Sequence, residues 1–127
     1  MRPIMRDDAR MRLLQAPREA ITAFGSTGVS MDFLPRTVDG SECRVAIAYL
    51  DAGGTLGRHP ATLRQVFAVV SGTGEVEANG LRRAIGPGTL VVWEPGEEHE
   101  TRATSDLTAV VVEVTGTLDL DAHFHEL

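Results

Sequence analysis

Short apolar runs, separated by clusters of glycine, proline and aspartate, fill most of the chain. The strongest runs are CRVAIAYL (43–50), RQVFAVVSG (64–72), TLVVWEPG (89–96) and LTAVVVEV (107–114). Runs of this length that end in turn residues are typical of β-strands. Weaker strands are predicted at 21–24 and 29–34, and the pair Asn79-Gly80 predicts a tight hairpin turn. Many short strands at regular spacing predict an all-β sandwich or barrel.

The predicted organisation is a single domain with a flanking segment at each end. A length of 127 residues suits one packed core. We predict an N-terminal extension at 1–19, a β-barrel domain at 20–115 and a tail at 116–127. Residues 6–16 could form a short helix or stay mobile. His123 and His125 form an HxH pair in the tail, which could bind metal on a strand but is interpreted as an incidental solvated pair.

The charge balance disfavours nucleic acid and membrane partners. All 12 basic residues are arginines, and 18 acidic residues bring the net charge to −6. Such a surface repels nucleic-acid phosphates and anionic lipids. No apolar run approaches the roughly 20 residues that span a bilayer, and the charged N-terminus lacks a signal-peptide pattern. Cys43 is the only cysteine, which excludes an intramolecular disulfide, and we expect it to be buried and inert. These features together favour a cytoplasmic location.

Two blocks that end in histidine carry a recognisable spacing. The first contains Gly53, His59, Ala61, Gln65 and Gly72, and fits the pattern G-x5-H-x-H-x3-E-x6-G except for alanine at the second His position and glutamine at the Glu position. The second contains Gly88, Glu94, Gly96 and His99, and fits G-x5-P-x-G-x2-H except for glutamate at the Pro position. With both motifs in order, the chain resembles the cupin family over roughly residues 40–114.

The resemblance implies an antiparallel double-stranded β-helix, the jelly-roll barrel, with a pocket inside. It also implies a divalent transition metal, held in the family by three histidines and one glutamate. Carried to this chain, the resemblance assigns the metal to His59, Gln65 and His99. The identity of the metal stays open among zinc, iron, nickel and manganese. Loss of the carboxylate weakens the hold on a cation, so metal binding and simple hydrogen bonding in a pocket both remain open.

Other residues near these motifs are candidates for the pocket and its chemistry. Side chains alternate along a strand, so Gln65 and Phe67 share one face, which we assign to the pocket if Gln65 points inward. Trp93 is assigned to the pocket wall, and Tyr49 is either a core or a pocket residue. Glu97 and Glu98 lie beside His99 and are the candidate catalytic residues, although at least one of them is interpreted as a solvated loop charge.

Two functions follow as hypotheses. In the first, the protein is a metal-dependent enzyme of the dioxygenase, isomerase, lyase or cyclase type, in which the metal polarises a substrate oxygen. In the second, it is a metal-free module that binds or senses a small molecule without catalysis. The resemblance also implies a homodimer, in which residues 21–24 and 29–34 cap the sheet of a neighbour.

Overall fold

A computed structural model describes residues 10–120 and 123–127, and strands dominate this part of the chain. One short 3₁₀ turn lies at Ala23–Gly25. The strands are β1 Arg12–Gln15, β2 Arg18–Ile21, β3 Val29–Asp32, β4 Arg36–Val38, β5 Cys43–Leu50, β6 Thr55–Pro60, β7 Arg64–Ser71, β8 Gly74–Ala78, β9 Leu81–Ile85, β10 Thr89–Trp93, β11 Glu98–Ala103, β12 Leu107–Val114, β13 Thr117–Asp119 and β14 His125–Glu126. The prediction of an all-β fold is confirmed.

Two antiparallel sheets form the barrel. The large sheet has the order β14-β1-β10-β7-β12-β5, and the small sheet has the order β6-β11-β8-β9. Sequence neighbours are often not sheet neighbours, which is the connectivity of a jelly roll. The predicted hairpin at Asn79-Gly80 joins β8 to β9, with Ala78 opposite Leu81. Both turn residues have positive φ, 55° and 76°, as a type I′ turn requires.

The main core lies between the two sheets, and a second apolar layer covers the outside of the large sheet. Side chains alternate along β7, so Phe67 and Val69 enter the main core while Val66 and Ala68 enter the outer layer. This explains why the run at 64–72 is apolar on both faces. The outer layer is covered by Leu34, Leu118, Leu120 and Phe124, which come from segments on either side of the barrel strands.

The N-terminal segment contributes directly to the large sheet. Arg12–Gln15 form the strand β1 between β10 and β14, and Leu13 and Leu14 are almost fully buried. The expectation of a short helix or a mobile segment is therefore wrong for residues 12–15, and residues 6–9 lie outside the described part of the chain. His125 lies on β14 opposite Gln15. Strands thus occur within both segments that the sequence assigned to an extension and a tail.

The face of β5 that turns inward is not the one that carries Tyr49, which was expected in the core or the pocket. Ala48 and Leu50 pack on the main core, so the inward face also carries Arg44. Val45, Ile47 and Tyr49 lie on the outer face and are 64 %, 56 % and 75 % exposed. Cys43 is exposed as well, which corrects the expectation of a buried thiol. Among the described residues, no helix is long and apolar enough to cross a membrane.

Candidate functional site

A row of polar side chains crosses the inner face of the large sheet at one end of the barrel. Strand register places Arg44 opposite Glu113, Glu113 opposite Gln65, and Gln65 opposite Trp93. We call these four residues the polar row. Within it, Gln65 Nε2 donates to Glu113 Oε2 at 3.1 Å, and Arg44 Nη2 lies 3.7 Å from Glu113 Oε1. The row forms because each of the four strands carries one polar or amphipathic side chain at this level.

Two histidines from the small sheet meet the polar row. His59 on β6 pairs with His99 on β11, and their ring centroids are 4.5 Å apart. We call them the imidazole pair. The His99 ring also stacks on Trp93, with a centroid distance of 3.8 Å and an interplanar angle of 17°. His99 is buried, whereas His59 is exposed, so the pair connects the interior to solvent.

Both imidazoles are held by the backbone of their own strand. His59 Nδ1 lies 2.6 Å from the carbonyl oxygen of Gly57, and His99 Nδ1 lies 3.0 Å from that of Glu97. A carbonyl can only accept, so Nδ1 carries the proton in each ring and Nε2 is left for other partners. Burial lowers the pKa of His99, and the positive charges of its neighbours add to this effect. The ring of His99 therefore stays uncharged to a lower pH than an exposed imidazole does.

Trp93 is fully buried beside the imidazole pair and has an unsatisfied donor. Its side chain packs against Phe67 with a centroid distance of 5.8 Å. Its Nε1–H has no hydrogen-bond partner among the described residues. Buried donors are nearly always paired, so an unpaired indole N–H next to polar side chains marks a place where another molecule can bind. Phe67 and Trp93 thus both lie inside the barrel.

The side chains of Glu97 and Glu98 have surroundings different from those of the imidazole pair. The buried carboxylate of Glu97 accepts hydrogen bonds from Met11 N at 2.6 Å, Asn79 Nδ2 at 2.6 Å and Glu94 N at 3.0 Å. Burial raises the pKa of Glu97, and these three donors partly oppose that effect. Glu98 is exposed and precedes His99 on β11, so it projects to the opposite face. Among the described residues, neither carboxylate makes a hydrogen bond to the imidazole pair, and a catalytic role for either stays a prediction from the sequence.

Sequence reasoning missed two members of the site and misplaced one. Gln65 does face the interior, as the pocket assignment required. Tyr49, assigned to the pocket, lies on the outer face of β5. Arg44 lies on the inner face of β5 with its side chain 60 % exposed, and neither Arg44 nor Glu113 was assigned to the site from the sequence. The signal for Glu113 was available, because it is the only charged residue in the run LTAVVVEV and is therefore an exception that needs a partner.

The donor set does not fit the four-ligand metal cage of the family. Ala61 has no donor atom in its side chain, the carboxylate of Glu97 is engaged elsewhere, and Gln65 offers one neutral oxygen. Among residues 10–120 and 123–127, no group of three or more His, Cys, Asp or Glu side chains is arranged to hold a metal ion. The imidazole pair with Gln65 Oε1 would be an uncharged set of three donors, which attracts a divalent cation less strongly than a set with a carboxylate.

Comparison with known proteins supports the architecture. Residues 46–115 match the family model described as a cupin domain. No curated protein matches the chain. Similar solved structures include a conserved protein of unknown function from Streptococcus pyogenes, with 24 % identity, a TM-score of 0.56, and coverage of 66 % of this chain and 75 % of that one.

Two further structures show how widely the fold is used. An RmlC-like cupin from Shewanella frigidimarina has 17 % identity and a TM-score of 0.56, and the match covers 80 % of this chain and 86 % of that one. The DMSP lyase DddQ from Ruegeria pomeroyi has 24 % identity and a TM-score of 0.54, and the match covers 57 % of this chain and 38 % of that one. At these identities the likeness shows the fold alone.

Proposed function

The chain belongs to the cupin domain family, and from this premise we propose that it binds a small organic molecule at the polar end of its barrel through hydrogen bonds from protein side chains. The observation that carries the proposal is the stacking of His99 on Trp93, which joins the imidazole pair to the polar row. An apolar interior with a few convergent polar groups is the usual make-up of a small-molecule site. This is a binding or sensing function that needs no metal.

The polar row suits recognition better than catalysis by a metal cage. Glu113 and Arg44 carry opposite charges, and Gln65 is fixed by its bond to Glu113. Trp93 provides a flat buried wall, and its free Nε1–H provides a donor. His59, the exposed member of the imidazole pair, marks the side from which we propose that the ligand enters. In this proposal Glu97 holds the loop between β10 and β11 in place and does not touch the ligand.

A metal-dependent enzyme is the second candidate, and one observation favours it. Metal-binding histidines usually donate their second ring nitrogen to a carbonyl or carboxylate, and both Nδ1 atoms here contact backbone carbonyls. His59, His99 and the oxygen of Gln65 would then hold a divalent transition metal, with water or substrate completing the coordination. Such a metal would act as a Lewis acid on a substrate oxygen. Within residues 10–120 and 123–127, no carboxylate joins the two histidines in a group that could hold a metal ion, which is why this candidate comes second.

Elemental analysis and intrinsic fluorescence together distinguish the two candidates. Mass spectrometry of the untagged protein, incubated with zinc, iron, nickel or manganese salts and desalted, is compared with His59→Ala and His99→Ala. We expect less than stoichiometric metal in all three proteins. Trp93 is the only tryptophan, so its fluorescence reports the site directly in a metabolite screen on chelator-treated protein. One metal per chain that both variants lose would instead establish the second candidate.

We also propose that a second copy of the chain covers the outer apolar face, which consists of Val45, Ile47, Tyr49 and Val70. All four are more than half exposed, and they lie on β5 and β7, on either side of β12. Contiguous apolar surface of this kind marks an interface. The hairpin β2–β3 forms a sheet of its own and exposes Phe24 completely at its tip, so it can supply the apolar surface that the neighbour needs.

The oligomeric state tests this interface. Light scattering coupled to size-exclusion chromatography should give the mass of a dimer for the wild type and of a monomer for Ile47→Lys. The matched control is Arg82→Lys on the small sheet, which should remain dimeric. A monomeric wild type at micromolar concentration would contradict the proposed dimer and leave the ligand site unaffected. Cytoplasmic location stays a prediction from the sequence.

A further inference from the structure

The chemistry of the buried part of the site restricts the kind of molecule that it can bind. This inference rests on the proposed binding function and adds the ligand class. Two ring atoms decide it, Nε1 of Trp93 and Nε2 of His99. Each lies on a buried ring, and the two rings are stacked nearly parallel at 3.8 Å. The stack therefore brings the two residues together, and in the proposed site one ligand group contacts both.

Trp93 supplies a hydrogen-bond donor and nothing else. Its indole N–H cannot accept, and it has no partner among the described residues. The residue is 1 % exposed, so bulk water does not satisfy the group. A ligand that binds here gains most if it presents an acceptor to this N–H.

His99 supplies an acceptor when its ring is uncharged. Nδ1 donates to the carbonyl of Glu97, which leaves the lone pair on Nε2. Within the described residues, Nε2 makes no hydrogen bond to a protein group, in contrast to Nδ1. A ligand therefore needs a donor for His99 in addition to the acceptor for Trp93.

We propose that the site selects an uncharged group that both donates and accepts a hydrogen bond, namely a hydroxyl or a primary amide, and disfavours a carboxylate of the same shape. A carboxylate presents acceptors only, so it would satisfy Trp93 but oppose the lone pair of His99. A carboxylate would also carry a negative charge into a site whose polar row already holds Glu113. A site built to pair with a donor discriminates strongly against an analogue that lacks it.

Matched pairs of amide and acid test the selectivity. The probes are isobutyramide against isobutyrate, and benzamide against benzoate, each titrated to about 50 mM because fragments bind in the millimolar range. The measurement is made near pH 8, where an ordinary imidazole with a pKa of about 6.5 is uncharged. The readout is the indole ¹H–¹⁵N resonance, which is unique because the chain has one tryptophan. All samples share one ionic strength.

We expect at least one amide to move the indole resonance downfield with saturation, and to bind about tenfold or more tightly than its acid. His99→Phe keeps an aromatic ring against Trp93 but removes the acceptor, so the preference for amide should fall to about twofold or less. Arg82→Lys, on the small sheet and outside both the ligand site and the proposed dimer interface, is the control and should leave the preference unchanged.

The outcomes separate the ligand class from the binding function. If the acids bind as tightly as the amides and shift the resonances of Gln65 or His59, the site exists but the ligand class is wrong. A preference that survives in His99→Phe also overturns the class. If no probe shifts the indole resonance, the proposed ligand class is wrong. If the fluorescence screen also finds no metabolite that binds, the proposed binding function is overturned as well.

Discussion

Replacing Glu97 by glutamine should destabilise the protein without removing any apolar contact. The carboxylate accepts from Met11 N, Asn79 Nδ2 and Glu94 N, and so connects the start of β1 and the β8–β9 turn to its own loop. An amide has one acceptor oxygen, and its NH₂ would face at least one N–H donor. If the amide oxygen keeps Met11 N and Asn79 Nδ2, the NH₂ faces the part-buried Glu94 N; if the amide turns over, the buried Met11 N–H is stranded and only the exposed Asn79 can turn to water.

The expected loss is about 2 kcal/mol, because a stranded buried donor costs about 1–3 kcal/mol and the neutral amide recovers part of the desolvation of the carboxylate. For a domain of this size, that corresponds to a fall in Tm of about 6 °C. Urea denaturation followed by Trp93 fluorescence measures the change. Glu98→Gln is the matched control and should alter the free energy of unfolding by less than about 0.5 kcal/mol.

A double-mutant cycle with Asn79→Gly identifies the bond itself. Asn79 has a φ of 55°, so glycine accepts this backbone conformation and removes only the amide donor. A coupling energy of about 0.5 kcal/mol or more between the two positions is expected. A Glu97→Gln variant as stable as the wild type would refute the reasoning, since it would mean that the three donors find equal partners without the carboxylate.

The remaining predictions concern the pH dependence of stability and the room for a Cβ atom at two glycines. Because burial lowers the pKa of His99, the unfolded chain binds more protons than the folded one below an ordinary pKa of about 6.5, so stability should fall as the pH drops below that value. Urea denaturation at several pH values should show a weaker dependence in His99→Phe, and an unchanged slope would refute the assignment. Gly72→Ala should cost about 3 kcal/mol or more or prevent folding, because its Cβ would lie 2.0 Å from the carbonyl oxygen of Asp106. Gly53→Ala, also at positive φ but with no atom within 4 Å, should cost only about 1 kcal/mol by the same measurement.

The alternation of residues predicted which side chains share a face, but it did not predict which face turns inward. On β7 the pattern left the orientation of Gln65 open, and the tertiary structure turns its face, shared with Phe67 and Val69, toward the core. On β5 both faces are apolar over most of their length. The pattern therefore does not show whether the face with Arg44 or the face with Tyr49 turns inward. The pairing of Arg44 with Glu113 across β5 and β12 decides the matter, and that register is a long-range property.

The sequence was enough to predict the strongest strands and the tight turn at Asn79-Gly80, since each depends on residues close together in the chain, but the strand predicted at 21–24 ends in a 3₁₀ turn. The tertiary structure alone decided that residues 12–15 join the large sheet and that Glu97 supports a loop. It also decided that Glu113 joins the site. These outcomes depend on partners 86 residues away for Met11 and Glu97 and 48 residues away for Gln65 and Glu113. Contacts over such separations are set by how the two sheets close on one core, which no local pattern encodes.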